Sequence, residues 1–304
     1  MPLLPRALRR SGRSAVIAVP WLWLLLFFVV PFVIVLKISV ADTRWLGTPP
    51  YSPLFEMIDG RAALKVHAAN FVFLWRDSLY RAAFLTSLTV AGLSTVLCVL
   101  LGYPMAYAIA RAAARWRNVL LLLVILPFWT SFLLRVYAWI GLLGNTGAIN
   151  QLLIGMGVIH EPIVMLQTDF AMYVGIVYSY LPFMILPLYA NLEKHDATLI
   201  EAAIDLGCTP WQAFRRVTLP LSLPGVVAGS MLVFIPAVGE FVIPRMLGGP
   251  NSLMIGRVLW DEFFLNRNWP VASAVAVTLL VLLVAPIVLV QRFHARDATG
   301  VVAR

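Results

Sequence analysis

Residues 201–220 read EAAIDLGCTPWQAFRRVTLP. The spacing predicts two short helices meeting at Gly207. Asp196 caps a helix in which Thr198, Glu201 and Asp205 recur at i, i+3 and i+7, leaving Leu199, Ala202, Ala203 and Leu206 around the other side. Gly207 supplies the left-handed residue that ends this helix. Thr209, Pro210 and Gln212 then form a cap, a first-turn proline and a capping-box partner. In the second helix Trp211 and Phe214 share one face and Gln212, Arg215 and Arg216 the other, before Leu219-Pro220 returns the chain to apolar sequence. An amphipathic helix pair belongs at a water boundary.

The flanking sequence is of another kind. The 304 residues are 61% hydrophobic and 12% charged, with mean hydropathy +0.89, whereas a soluble domain carries about 25% charged residues. The chain is therefore read as an integral membrane protein. Six stretches, roughly 15–40, 82–110, 118–143, 169–191, 224–247 and 270–291, are long and apolar enough for a helix of about 20 residues to cross some 30 Å of hydrocarbon. The expected fold is all-α, with six transmembrane helices in one membrane domain over 1–304. The apolar run from Ala15 to Leu36 follows Arg6, Arg9, Arg10 and Arg13. It exceeds the ~7–15 residues of a signal-peptide core and is read as a retained span. Pro20, Pro31, Pro182, Pro187 and Pro236 fall inside spans; they suit helices that bend around a cavity, although membrane helices tolerate proline generally.

The net charge of +9 would also suit a nucleic-acid partner, so its placement matters. With both termini cytoplasmic, the inner segments sum to +8 and the outer ones to +1, and no Lys or Arg occurs in 144–168. That asymmetry is a topology signal, which leaves nucleic-acid binding unnecessary. It places the opening stretch in a cytoplasmic loop. Cys98 lies in an apolar run and Cys208 in that loop; both are read as unpaired thiols.

Three roles suit the loop. It can lie at the lipid headgroups with its arginines on phosphate. It can read DNA as a helix-turn-helix, a role opposed by the spans that hem it in. Or it can be a docking lever for a soluble partner, since it is anchored directly to two spans. A resemblance favours the lever. Glu201-Ala202-Ala203, three residues, Gly207, nine residues, then Val217-Thr218-Leu219-Pro220 resembles the EAA signature of permease subunits in bacterial ABC importers, with Val217 where isoleucine is common. The resemblance implies a type I ABC importer permease architecture in which the coupling loop, 197–218, docks on a cytoplasmic ATPase through Glu201, Ala202, Ala203, Asp205, Gly207, Leu219 and Pro220.

The resemblance reaches further. LPFWTSFLLRVYAWIGLLGNTG (126–147), LPLSLPGVVAGSMLVFIPAVGEFVIP (219–244), LGGPNSLMIGRVLW (247–260) and NWPVASAVAV (268–277) are similar to putrescine and spermidine importer permeases, closest to the putrescine-type first permease. It covers at least residues 70–292. It implies a multi-pass protein of the bacterial inner membrane, surrounded by lipid, with a second permease as heterodimer partner, two ATPase subunits and a periplasmic substrate-binding protein. Arg245 departs from the pattern: close members tend to carry a carboxylate there. The alternative is a permease of the same superfamily for another small substrate, such as an anion or an iron chelate.

Energy and chemistry are expected elsewhere. No GxxxxGK[ST] loop occurs, so no cofactor is expected on this chain, and ATP-Mg belongs to a partner subunit. No HExxH helix or pair of intramembrane aspartates occurs, and His67, His160, His195 and His294 fall at no ligand spacing, so neither catalytic nor metal residues are assigned. Arg135 and Glu240 fall well inside expected spans, where a central charge costs about 2.5–3.5 kcal/mol on insertion scales. They either pair with each other, or Glu240 lines a cavity and meets a diamine cation, with Trp129, Tyr137, Trp139, Tyr178 and Tyr180 offering cation–π faces. Repulsion excludes Arg135 as a ligand of such a cation.

Overall fold

Hydrocarbon offers backbone groups no water, so an apolar chain of this kind has to satisfy them in helices. The computed structural model describes residues 16–44, 47–53, 55–58, 61–64, 66–250 and 252–301, and it is helical almost throughout. Arg6, Arg9, Arg10, Arg13 and Arg304 of the expected inner basic set lie outside the described residues. Among the described residues, five stretches are long and apolar enough to cross a membrane: Val16–Ser39, Ser78–Arg111, Phe132–Gly155, Asp169–Leu192 and Pro210–Val238. A sixth apolar helix, Trp269–Val284, is shorter. The chain divides into two compact units, 1–78 with 259–304, and 79–258.

In the first unit α1 (Val16–Ser39) packs along α12 (Trp269–Val301), which also meets α2 (Ala69–Arg76). Orphan carbonyls at the end of α1 are satisfied from α2. Asn70 Nδ2 donates to the carbonyls of Ser39 at 2.9 Å and Ala41 at 2.8 Å. Thr43 Oγ1 donates to Asn268 Oδ1 at 2.8 Å, just before α12. Between α1 and α2 lies one departure from the all-helical expectation: β1 (Phe55–Ile58) and β2 (Arg61–Leu64) pair antiparallel with Phe55 opposite Leu64.

In the second unit α3 (Ser78–Arg111) leads to α4 (Ala114–Ile125), α5 (Phe132–Leu143), α6 (Ala148–Gly155), α7 (Asp169–Leu192) and α8 (Thr198–Asp205). Then come α9 (Pro210–Val238), α10 (Val242–Met246) and α11 (Ile255–Trp260). The central pair is α7 and α9, which approach closely because glycine stands at their contact. A Cβ at Gly229 would fall 2.8 Å from Met184 Sδ and 3.1 Å from the Met184 carbonyl oxygen. Around this pair Cys98, Tyr103 and Ala106 of α3 and Met184, Ile185 and Leu188 of α7 are buried.

Two expected spans have different boundaries. The third, 118–143, is divided: a 3-10 turn, Leu126–Trp129, and extended Thr130 separate α4 from α5. Pro127 has no N–H for an α-helical bond, and its ring crowds the preceding turn. The fifth, 224–247, begins earlier and ends sooner, because α9 runs unbroken from Pro210 in the loop to Val238 and stops before Glu240. Leu219-Pro220 is thus inside a helix rather than at a return point. Wide π turns at Leu25–Val29 and Phe214–Thr218 each precede a proline, Pro31 and Pro220. The missing N–H and the ring displace the carbonyl four residues back, and the helix widens to absorb it.

Candidate functional site

The loop before α9 is built by local rules. Asp196 Oδ1 accepts the Thr198 N–H at 3.0 Å. The backbone N–H and then the hydroxyl of Thr198 hold this carboxyl below its ordinary value. At the other end of α8 the Gly207 N–H reaches the Ile204 carbonyl at 2.9 Å and the Cys208 N–H reaches the Ala203 carbonyl at 3.0 Å. This pair of bonds is the Schellman closure, and it puts Gly207 at φ +84°. The next helix starts at once: Gln212 N–H donates to Thr209 Oγ1 at 3.3 Å, and Thr209 N–H donates to Gln212 Oε1 at 3.0 Å.

What this geometry presents is a turn with both polar and apolar groups in the open. Glu201, Ala202, Asp205, Gly207, Leu219 and Pro220 are exposed and Ala203 is half-buried. Leu206 is 86% and Trp211 68% exposed, more than either would show if folded onto its own chain. Phe214 does the opposite. Its ring stacks on Trp211 at 5.4 Å and meets Tyr103 and Tyr107 of α3 edge-on at 5.8 and 5.7 Å. Ser222 Oγ donates to the Leu219 carbonyl at 2.8 Å, so Tyr103 is the donor in its 2.9 Å bond to Ser222. The signal for this clasp in the sequence is slight: Tyr103 and Tyr107 stand four apart on one helix face. Nearby, Arg117 joins Glu193 at 2.8 Å and the Ala110 carbonyl at 3.1 Å, tying the ends of α3, α4 and α7.

The residues proposed for a cation route fall into separate groups. Tyr180 and Glu240 meet: the Tyr180 hydroxyl donates to Glu240 Oε2 at 2.5 Å. Glu240 Oε1 receives the N–H groups of Phe241, Val242 and Ile243 at 3.2, 3.0 and 3.4 Å, which caps α10. Arg135 is not its partner. The Arg135 guanidinium lies over the Phe128 and Phe132 rings at 5.1 and 5.7 Å, with Nε and Nη1 buried and unbonded. Trp139 and Tyr178 meet edge-on at 5.4 Å in a groove of about 410 Å³ lined by apolar side chains such as Leu97, Leu101 and Phe170. Trp129 and Tyr137 are 78% and 58% exposed. Both thiols, Cys98 and Cys208, are free. Among the described residues no three His, Cys, Asp or Glu side chains converge as a metal site would require.

Apolar spans joined by a loop that presents a built turn define an integral membrane protein, and the family its sequence matches makes it a transport component rather than an enzyme. Residues 98–297 match the family of binding-protein-dependent transport system inner membrane components, and the chain belongs to it as a permease subunit of an ABC importer. It is 40% identical over 278 residues to the spermidine/putrescine transport system permease protein PotB of Haemophilus influenzae, covering 91% of this chain and 92% of that one. It is 42% identical over 207 residues to the PotB protein of Escherichia coli, covering 68% and 75%. The fold is similar to a chain of a bacterial ABC transporter involved in alginate import, with a TM-score of 0.69 over 96% of this chain and 98% of that one at 18% identity.

Proposed function

We propose that this chain is the transmembrane permease of an ATP-driven polyamine importer, moving putrescine or spermidine into the cytoplasm. The observation that carries the substrate is the 40% identity to a spermidine/putrescine permease over 91% of the chain. In this reading the permease pairs with a second permease, two ATPase subunits bind below it, and a periplasmic binding protein delivers the polyamine. ATP-Mg is held by the ATPase chains. The loop 197–218 docks there through the exposed turn at Glu201–Gly207, with Leu206 and Trp211 as its apolar contacts. ATPase closure then shifts α9 directly and α3 through the Phe214 clasp. Trp129 and Tyr137 offer the open aromatic faces that a diamine cation meets.

The test is uptake by proteoliposomes holding the assembled transporter with its binding protein and internal ATP. Labelled putrescine or spermidine should accumulate, and omission of ATP should abolish it. Accumulation of an oxyanion or a ferric chelate in place of both polyamines would refute the substrate assignment while leaving the permease role intact.

A further inference from the structure

Glu240 is the one carboxylate of the fifth apolar stretch, and its surroundings supply it with partners other than a transported cation. Three peptide N–H groups converge on Oε1, the Tyr180 hydroxyl occupies Oε2, and the residue is 8% exposed. Peptide dipoles and a hydroxyl thereby compensate the charge with no cation present. The break it sits on is also fixed from outside. A Cβ at Gly256 would lie 2.3 Å from the Gly239 carbonyl oxygen and 2.7 Å from that of Glu240, so α11 is pressed backbone to backbone against the break. The Ile255 N–H, at the start of α11, donates to Ser87 Oγ of α3 at 2.8 Å.

We infer that Glu240 is a positioning residue and not a ligand of the transported cation: it fastens the break between α9 and α10 to α7 through Tyr180, and so sets where residues 241–258 lie. The inference rests on the transport reading above for its functional readout only. With four donors already placed on it and the residue 8% exposed, the carboxylate has little surface left for a passing cation, whereas a cap keeps its donors through the cycle.

Glu240→Gln separates the two roles, because glutamine keeps an acceptor oxygen for the N–H groups and loses the charge. In the assembled transporter in lipid nanodiscs, hydrogen exchange at amides 241–243 and polyamine-stimulated ATPase activity are measured together. Glu240→Gln should leave both within about threefold of wild type, while Glu240→Ala should speed exchange about tenfold or more and lower stimulation with it. Normal exchange with stimulation lost in Glu240→Gln would overturn the inference and restore the ligand role. Unchanged exchange in Glu240→Ala would overturn it as well. Should Glu240→Ala not assemble, Tyr180→Phe removes the α7 tie alone and has to speed exchange at 241–243; unchanged exchange there also refutes the inference. A wild-type complex that ignores polyamines sinks the substrate reading, and the exchange measurement still decides the cap.

Discussion

Gly207 is demanded by its backbone and by nothing around it. At φ +84° it lies in the left-handed region, and a Cβ built there meets no atom within 4 Å. A side chain is therefore opposed by conformation alone, at about 1–2 kcal/mol, or roughly five- to thirtyfold in an equilibrium. Gly207→Val should weaken co-purification of the ATPase by that order while the chain still inserts. Gly207→Asn, which tolerates the left-handed region, should retain most of it. If both variants hold the ATPase as wild type does, the turn is not what the ATPase recognises. The neighbouring caps were legible in the sequence for the same reason: Asp196, Thr209 and Gln212 act within three residues of themselves, and each makes the bond its spacing implies. The partners of Glu240 were only half legible. Its three N–H donors are the residues after it, but Tyr180 is 60 positions away.

Among the elements, hydropathy located the spans and missed their breaks. An apolar side chain reads alike in a straight helix and beyond a kink, so 242–247 joined the fifth expected span although α9 stops at Val238. Pro127 was a sufficient signal for the division of the third. The hairpin, too, had a signature: FEMIDGRAAL places Asp59-Gly60 between two short runs, the dipeptide of tight hairpin turns. The clasp at the start of α9 joins elements that no local pattern connects. Each edge-on ring pair is worth about 0.5–1.5 kcal/mol beyond its buried area, and Phe214 makes two of them, with Tyr103 and Tyr107. Phe214→Ala should therefore leave the ATPase bound yet reduce substrate-stimulated hydrolysis several-fold, with Phe214→Leu intermediate. Loss of the ATPase itself would place Phe214 on the docking surface and remove the clasp from the transmission route.

For the whole molecule, the charge asymmetry of +8 against +1 leads to the expectation that the 197–218 loop and both termini lie in the cytoplasm, which labelling tests. Arg215 and Thr146 are exposed and suit reporters. In a background with Cys98→Ser and Cys208→Ser, Arg215→Cys should react with an impermeant thiol reagent only in inverted vesicles, and Thr146→Cys only in intact spheroplasts. The reverse pattern would invert every role assigned to the loop. The unbroken course of α9 has a consequence for timing. Its 29 residues span about 43 Å at the α-helical rise, from the docking turn to the edge of the Glu240 break. In the docking proposal, a displacement entering at the loop is carried to the Glu240 break by one continuous helix that bends at its wide turn and prolines. On that proposal the permease keeps no clock of its own: the tempo of the cycle belongs to whatever closes and reopens against its loop.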